Sequence, residues 1–493
     1  MKAKIEKFNI PQEVSHVTKR LKEASFEAYL VGGCVRDLFM GRAPKDWDVT
    51  TDALPDQIIP LFKKTFYENA FGTVAVVNEE VENESLKVVE VTPFRIESGY
   101  SDHRRPDLIE FSKDILEDLK RRDFTINSMA YDPENAQIID PFGGIADLNN
   151  RIIRAVGDPN LRLTEDGLRI LRAIRFHVEL GFEIDPSVEK SISENRIILK
   201  DISAERIRDE FEKIIMSPNP SMGIEVMKKL GVLEFILPEL IEGIGVEQNK
   251  AHSYDVWTHI LKTLQHSADK KMPLHVRLAA IFHDISKPST RRWDNNAKIW
   301  TFYGHEVVGS RVTEKVLERL KFSRETINQV KKLVRWHMFF SDTEKITHSA
   351  VRRLIVNVGK ESIWDLIELR TCDRIGTGRP KENPYRLRKY RAMIEEVMRN
   401  PISPQMLKID GRKIMQILSI SPGPKIGQIL NILLDEALEN PDINTEEELN
   451  KRTIELNKLS DKELAHMAYL AKNKIKMEEN TQINKIRSSH HVE

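Results

Sequence analysis

Apolar residues change their spacing near Arg151. Before that point, short β-branched runs alternate with brief helical stretches; after it, apolar residues recur at helical spacing almost to the end of the chain. Such a switch rules out one uniform fold. It requires a small head that mixes strands and helices, followed by a long, mainly helical body. Length agrees, because 493 residues exceed one ordinary core and suit three or four domains. The pattern predicts helices over 11–25 and 55–64, a short helix after Gly33, and strands over 28–31, 46–50, 73–77 and 87–94. The polar, charge-rich stretch 472–493 predicts a frayed or disordered end.

Composition removes several classes of function. No uninterrupted apolar run approaches the roughly 18 to 20 residues that cross a bilayer, so no membrane partner is expected. The charged start MKAKIEKFNIPQEV lacks a secretory apolar segment, and only two cysteines occur, Cys34 and Cys372, outside any Cys-x-x-Cys pair. A cytoplasmic, reducing compartment is the expectation. Basic and acidic residues balance at 76 each, so any surface for nucleic acid must be local. Local basic clusters do occur in HRRPD, in KRRDF and along the arginines from Arg162 to Arg175. Oligomeric state is not legible.

The stretch GGCVRDLFMGRAPKDWDVTT places Asp46 and Asp48 one residue apart in a predicted strand. Residues i and i+2 share a strand face, so both carboxylates point one way. Burying two like charges together is costly unless a cation joins them. Magnesium takes one or two carboxylates together with substrate phosphates, which makes Mg2+ the expected cofactor. Gly32 and Gly33 permit close backbone approach to phosphate, and Arg36 lies one turn into the helix that follows.

These residues carry a family resemblance. VGGCVRDLFMGRAPKDWDVTTDALP, VEVTPFR with SDHRRPD, KRRDFTINSMAYD, LRLTEDGLRILRAIRF and ISAERIRDEF resemble, in order, the blocks of class II template-independent nucleotidyltransferases. That family comprises the CCA-adding tRNA nucleotidyltransferases and the bacterial poly(A) polymerases. The resemblance implies an α+β fold: a polymerase-β-like, mixed-sheet nucleotidyltransferase head over 1–150, a nucleotide-recognition neck over 151–235, an HD-type body over 236–385 and a helical RNA-binding tail over 386–493.

It also implies roles. Asp46 and Asp48 are the expected catalytic magnesium ligands, with Glu90 on a neighbouring strand as a candidate third carboxylate. Gly33, Arg36 and Arg122 are expected to meet the triphosphate, while Asp123 and Asn127 suit ribose hydroxyls. Asp166 would accept from the exocyclic amine that C and A share, and Arg169 would donate to the neighbouring acceptor. Uracil and guanine present the opposite pattern. Arg172 and Arg175 are expected to hold Asp166 or reach phosphate. The segment IESGYSDHRRPDLIEF, with Gly99, Tyr100, Arg104 and Arg105, resembles the loop that family members use to switch from C to A.

A second constellation stands in the helical part: HSYDVWTHILKTL, VRLAAIFHDISKP, YGHEVVGS, VRWHMFF and LRTCDRIG. It resembles the metal-dependent HD phosphohydrolases. By that resemblance His259, His283, Asp284 and Asp373 hold a second divalent metal, with His305 and His337 near another ion. Imidazole and carboxylate ligands do not name the ion. The expected function is therefore CCA addition to tRNA from CTP and ATP, with an HD phosphohydrolase side activity. Two alternatives stand beside it: an A-adding enzyme or poly(A) polymerase, and an HD phosphohydrolase whose head only binds RNA.

Overall fold

The computed structural model describes residues 2–4, 7–67, 72–79, 81–99, 108–249, 253–339, 346–399 and 404–492. Tyr100, Arg104 and Arg105, singled out in the loop over 96–111, lie outside them. Contacts divide the chain into two compact units: Met1–His337 with Glu368–Pro380, and Met338–Ile367 with Lys381–Glu493. Segment 338–367, which falls inside the stretch 236–385, thus groups with the C-terminal helices.

The head is built on one mixed sheet. Its strands are β1 (Lys2–Lys4), β2 (Ala28–Val31), β3 (Trp47–Thr51), β4 (Thr65–Tyr67), β5 (Val74–Val77), β6 (Val88–Pro93), with β9 (Ala130–Asp132) and β10 (Gln137–Ile139) completing it. The short strands β7 (Arg95–Ser98) and β8 (Leu108–Phe111) pair only with each other. The sheet order is β1-β10-β9-β2-β3-β6-β5-β4, and only the β3–β6 pair is parallel. Central strand β2 is buried throughout, as its apolar run AYLV requires.

The expected strands recur within a residue or so at each end. The expected helix over 55–64 does not: it stops at Ile58 and gives way to a 3-10 turn, Ile59–Leu61. Pro60 supplies no amide hydrogen and disfavours a continued α-helix.

The rest of the first unit is mainly helical, including Leu168–Leu180, Ala204–Met216, Val256–Asp269 and Leu274–Phe282. The second unit has its own apolar core, with Ile414, Ile429, Leu433, Leu449, Leu456 and Leu464 nearly inaccessible. Here the expectation of a frayed end is corrected. Helix Asp461–Ser489 opens on a Ser460–Glu463 capping box and buries Leu464, Ala468, Ala471 and Ile475. Spacings of four, three and four make an apolar stripe whose last member, Ile475, carries the packed face into the stretch expected to fray. Arg487 Nε donates to Glu396 Oε1 at 2.8 Å and His490 Nε2 meets Glu395 Oε1 at 2.8 Å, tying down the far end.

Candidate active site

The end of β2 begins the site. Gly32 adopts φ +77°, a left-handed conformation that favours glycine, and the helix Gly33–Phe39 follows it. A Cβ on Gly32 would lie 3.2 Å from Arg122 Nη1 and 3.3 Å from Asp48 Oδ2. The missing side chain therefore leaves the gap in which those two groups approach. Asp48 pairs across β3–β2 with Val31 and across β3–β6 with Glu90. Burial pushes the Asp48 carboxyl up to about 7; Arg122 opposes the shift, while Asp46 and Glu90 add to it. That is a site short of positive charge.

A cavity of about 910 Å³ opens beside it, lined by Gly33, Arg36, Asp46, Asp48, Arg122, Asp123, Asn127 and the helix residues Asp166, Arg169, Arg172 and Arg175. Every residue expected to catalyse or to bind nucleotide thus faces one space. Glu90 is exposed and is not among its walls. It adds charge beside Asp48, and among the described residues it closes no three-ligand set with Asp46 and Asp48.

The walls are held by partly buried ion pairs whose partners differ from those expected. Asp166, expected to be held by Arg172 and Arg175, is instead gripped by Arg206: Nη1 donates to Oδ1 at 3.1 Å and Nη2 to Oδ2 at 2.8 Å. Arg172 donates to Asp123 Oδ2 from Nε at 2.8 Å and Nη2 at 2.5 Å, and Arg175 pairs with Glu210 at 2.8 Å. The reason is helical phase. From one helix, Arg172 projects back toward the head, whereas Arg206 comes from the helix Ala204–Met216 packed alongside.

Burial pushes Asp123 up, but the Arg172 charge and hydrogen bonds outweigh it and hold the carboxyl well below the usual range. Asn127 Nδ2 also donates to Asp123 Oδ1 at 3.2 Å, while its own Oδ1 accepts from Arg36 Nη1 at 2.9 Å. Arg36, Arg172 and Arg175 all lie over the Phe176 ring, 5.3, 5.5 and 4.4 Å from its centroid.

Arg169 is fixed by Glu165 at 2.6 Å and by the carbonyls of Arg162 and Arg121 at 2.8 and 3.1 Å. Arg122 has its own buried anchor. Asp118, fully inaccessible, accepts from Arg122 at 3.1 Å and from Arg121 at 3.0 and 2.6 Å. Arg206, Asp118, Glu210 and Phe176 are the members that sequence reasoning missed. Arg206 stands in the block ISAERIRDEF, but no spacing links it to a residue forty positions earlier.

The second site lies in the helices after residue 253. His259 Nε2 is 3.0 Å from Asp284 Oδ2 and 3.3 Å from Asp373 Oδ1; His283 Nε2 is 3.2 Å from Asp284 Oδ2. On the other side, Asp284 Oδ1 faces His305 Nε2 at 3.2 Å and His337 Nε2 at 3.6 Å. All six are buried and form two groups able to hold a metal, His259–His283–Asp373 and Asp284–His305–His337.

The donor chemistry fits a divalent cation. The Nδ1 atoms of His283, His305 and His337 lie 2.8, 2.7 and 2.7 Å from the carbonyls of Ala280, Phe302 and Val334. Donation there leaves each Nε2 as a lone pair aimed inward. Burial works against charge on His259, but Asp284 and Asp373 overcome it and push its pKa up to about 9, so a proton stands in for a cation. Gly376 brings the Asp373 helix close: a Cβ there would meet Thr263 Oγ1 at 2.1 Å. Lys287, 2.6 Å from Asp284 Oδ2, is a further group absent from the sequence reading of ligands.

Known proteins align with this arrangement. A family model described as Poly A polymerase head domain matches residues 28–154, one described as Probable RNA and SrmB- binding site of polymerase A matches 181–243, and one described as HD domain matches 251–387. The chain is 33% identical over 432 residues to a CCA-adding enzyme of Lactobacillus helveticus, covering 86% of this chain and 93% of that protein. It is 31% identical over 422 residues to an A-adding tRNA nucleotidyltransferase of Deinococcus radiodurans, covering 83% and 91%. Among solved structures, the Bacillus stearothermophilus CCA-adding enzyme in complex with CTP superposes with a TM-score of 0.58 at 27% identity, covering 90% of this chain and 97% of that one. No described helix is long and apolar enough to cross a membrane. With its polymerase-type head, its HD domain and relatives matched over nearly their whole length, the chain belongs to the tRNA nucleotidyltransferase family of CCA-adding and A-adding enzymes.

Proposed function

We propose that this protein adds CMP and AMP to the 3′ end of tRNA from CTP and ATP, without a nucleic-acid template, releasing pyrophosphate. One observation carries the reading: the acidic pair Asp46 and Asp48 and the base-reading pair Asp166 and Arg169 line the same cavity. The tRNA 3′ hydroxyl attacks the α-phosphorus, a new P–O bond forms, and the bond to the β-phosphate breaks. Magnesium bound by Asp46 and Asp48 would lower the hydroxyl pKa and neutralise the phosphates.

The chain's own side chains do the rest. Arg36 and Arg122 balance triphosphate charge. Asp166, its two oxygens fixed by Arg206, accepts from the amine of cytosine or adenine while Arg169 donates beside it. Asp123 and Asn127 engage each other and the arginines, so they shape the ribose wall and meet a hydroxyl with their remaining acceptor capacity.

We assign the head to 1–150, the neck to 151–235, the HD body to 236–385 and the tail to 386–493, with a cytoplasmic setting in keeping with two free cysteines. His259, His283, Asp284 and Asp373 would hold a second divalent metal, with phosphohydrolysis as its chemistry. The Deinococcus radiodurans relative supports an A-adding alternative. One assay separates these readings: offer tRNA ending before CCA, after C and after CC, with CTP, ATP or both, and count the nucleotides added. Addition of A alone would replace CCA addition; no addition to any substrate would refute the catalytic assignment.

A further inference from the structure

Between the ligand candidates Asp284 and His305 the chain makes a detour that metal binding does not need. It forms a two-stranded hairpin, Arg292–Asp294 paired with Ile299–Thr301. Trp293 and Trp300 stand opposite each other in its register, with ring centroids 5.0 Å apart at 69°. Trp293 is nevertheless 48% exposed, and Tyr303, just past the second strand, is 85% exposed. Large aromatic side chains left in water on a short hairpin lose the burial that normally stabilises them.

Both ends of the hairpin are fastened to the buried histidine–aspartate pocket. At its entry, Lys287 reaches Asp284 Oδ2 at 2.6 Å and lies 5.6 Å from the Phe302 ring centroid. At its exit, His305 Nδ1 meets the Phe302 carbonyl at 2.7 Å, and Tyr303 is two residues from His305, a reach of about 7 Å along the backbone. Basic residues accompany the rings along the hairpin. Arg291 lies 3.8 Å from the Trp300 centroid, and Arg292 and Lys298 are exposed. Of the nearby acids, Asp294 caps the turn through the amides of Asn296 and Ala297, and Glu247 lies 3.9 Å from Arg291.

We propose that Trp293, Trp300 and Tyr303 form a stacking platform for the bases of a single-stranded RNA end whose terminal phosphate reaches the histidine–aspartate pocket. Aromatic faces with interleaved arginines suit bases joined by phosphates, because every base offers a π-face and every linkage an anion. A protein partner, which aromatic and arginine side chains also suit, is the outcome that absent quenching by the RNA would indicate. The second half of the proposal rests on the metal-site reading of the HD body; the platform itself does not.

The test uses the full-length protein with manganese and a uridine pentamer ending in a 3′-phosphate, followed by tryptophan fluorescence. Uracil is chosen because the Asp166–Arg169 pair selects against it. Saturable quenching is expected, and Trp293→Ala and Tyr303→Ala should each weaken it about tenfold, in line with the stacking contribution of a single base. Metal content and nucleotide addition to tRNA should stay unchanged. Asp284→Ala should lose metal and the preference for a 3′-phosphate while quenching by the pentamer persists, which separates a failed metal site from a failed platform. Absence of quenching in the wild type, undiminished binding by both Trp293→Ala and Tyr303→Ala, or equal quenching by uridine monophosphate alone would overturn the proposal.

Discussion

Asp48→Asn should make the metal-free protein more stable while abolishing nucleotide addition. The Asp48 carboxyl has a folded pKa of about 7 against an ordinary value of 3.8, so the folded state holds its proton more tightly than the unfolded chain. The sign follows from linkage. Stability from this group is full below about pH 4 and is lost as pH rises through 7. Each unit in that window costs about 1.4 kcal/mol, so the two units above pH 5 amount to about 3 kcal/mol at most. Solvent reaches the half-buried carboxyl, which brings the expected loss to about 2 kcal/mol. Asparagine cannot ionise and escapes it, and Arg122 keeps Asp118 as a partner at 3.1 Å in the variant.

Thermal unfolding in EDTA at pH 5 and pH 8 measures the effect. Wild type should lose stability relative to Asp48→Asn at the higher pH by a few degrees. Magnesium with CTP should close the gap in wild type alone, because a cation bound only to the folded state recovers the lost free energy. Parallel pH profiles for the two proteins would show that Asp48 is not short of positive charge, and the catalytic argument would lose its electrostatic basis.

Three further outcomes are expected. Arg172→Ala leaves Asp123 buried without its cation, and thermal or urea unfolding should reveal a loss of about 3 kcal/mol; a change below about 1 kcal/mol would mean that Asp123 finds another partner. Arg206→Ala frees the Asp166 carboxylate to rotate, so UMP misincorporation relative to CMP should rise about tenfold in single-nucleotide assays, in step with the loss of one fixed hydrogen-bonding geometry. Unchanged discrimination would limit Arg206 to packing. Asp284→Ala should abolish metal retention, measured by elemental analysis after dialysis, while leaving nucleotide addition at wild-type rates; a fall in addition would tie the two sites together.

Local pattern made the head legible and hid its cross-links. The Asp-x-Asp spacing, the glycine pair and the helical series from Asp166 to Arg175 each declare themselves within a few residues, and all of them line one cavity. What decides their orientation comes from elsewhere: Arg206 for Asp166 and Glu210 for Arg175. A helix presents several arginines to one side, but which acid each one reaches depends on the helix packed against it. The same limit explains the tail, where Arg487 and His490 are fixed by Glu396 and Glu395, some ninety residues earlier. The exposed Trp293 hairpin carried no signal, because a tryptophan in sequence reads as core.

The two candidate metal centres make opposite demands on a cation. In the head, Asp46 is exposed, Asp48 half-buried, and no third ligand atom among the described residues completes a set. A magnesium ion there would complete its shell with water and with triphosphate oxygens, so its binding should strengthen with nucleotide and weaken once pyrophosphate leaves. The HD pocket supplies six buried groups, with the Nδ1 atoms of His283, His305 and His337 at backbone carbonyls. A cation there needs no substrate to complete it. It must displace the proton that Asp284 and Asp373 hold on His259, so uptake near pH 8 should release protons, detectable as a buffer-dependent heat. A metal that arrives with each nucleotide and a metal that stays resident would follow from the same ligand chemistry, placed once at the exposed start of the central strand β3 and once between packed helices.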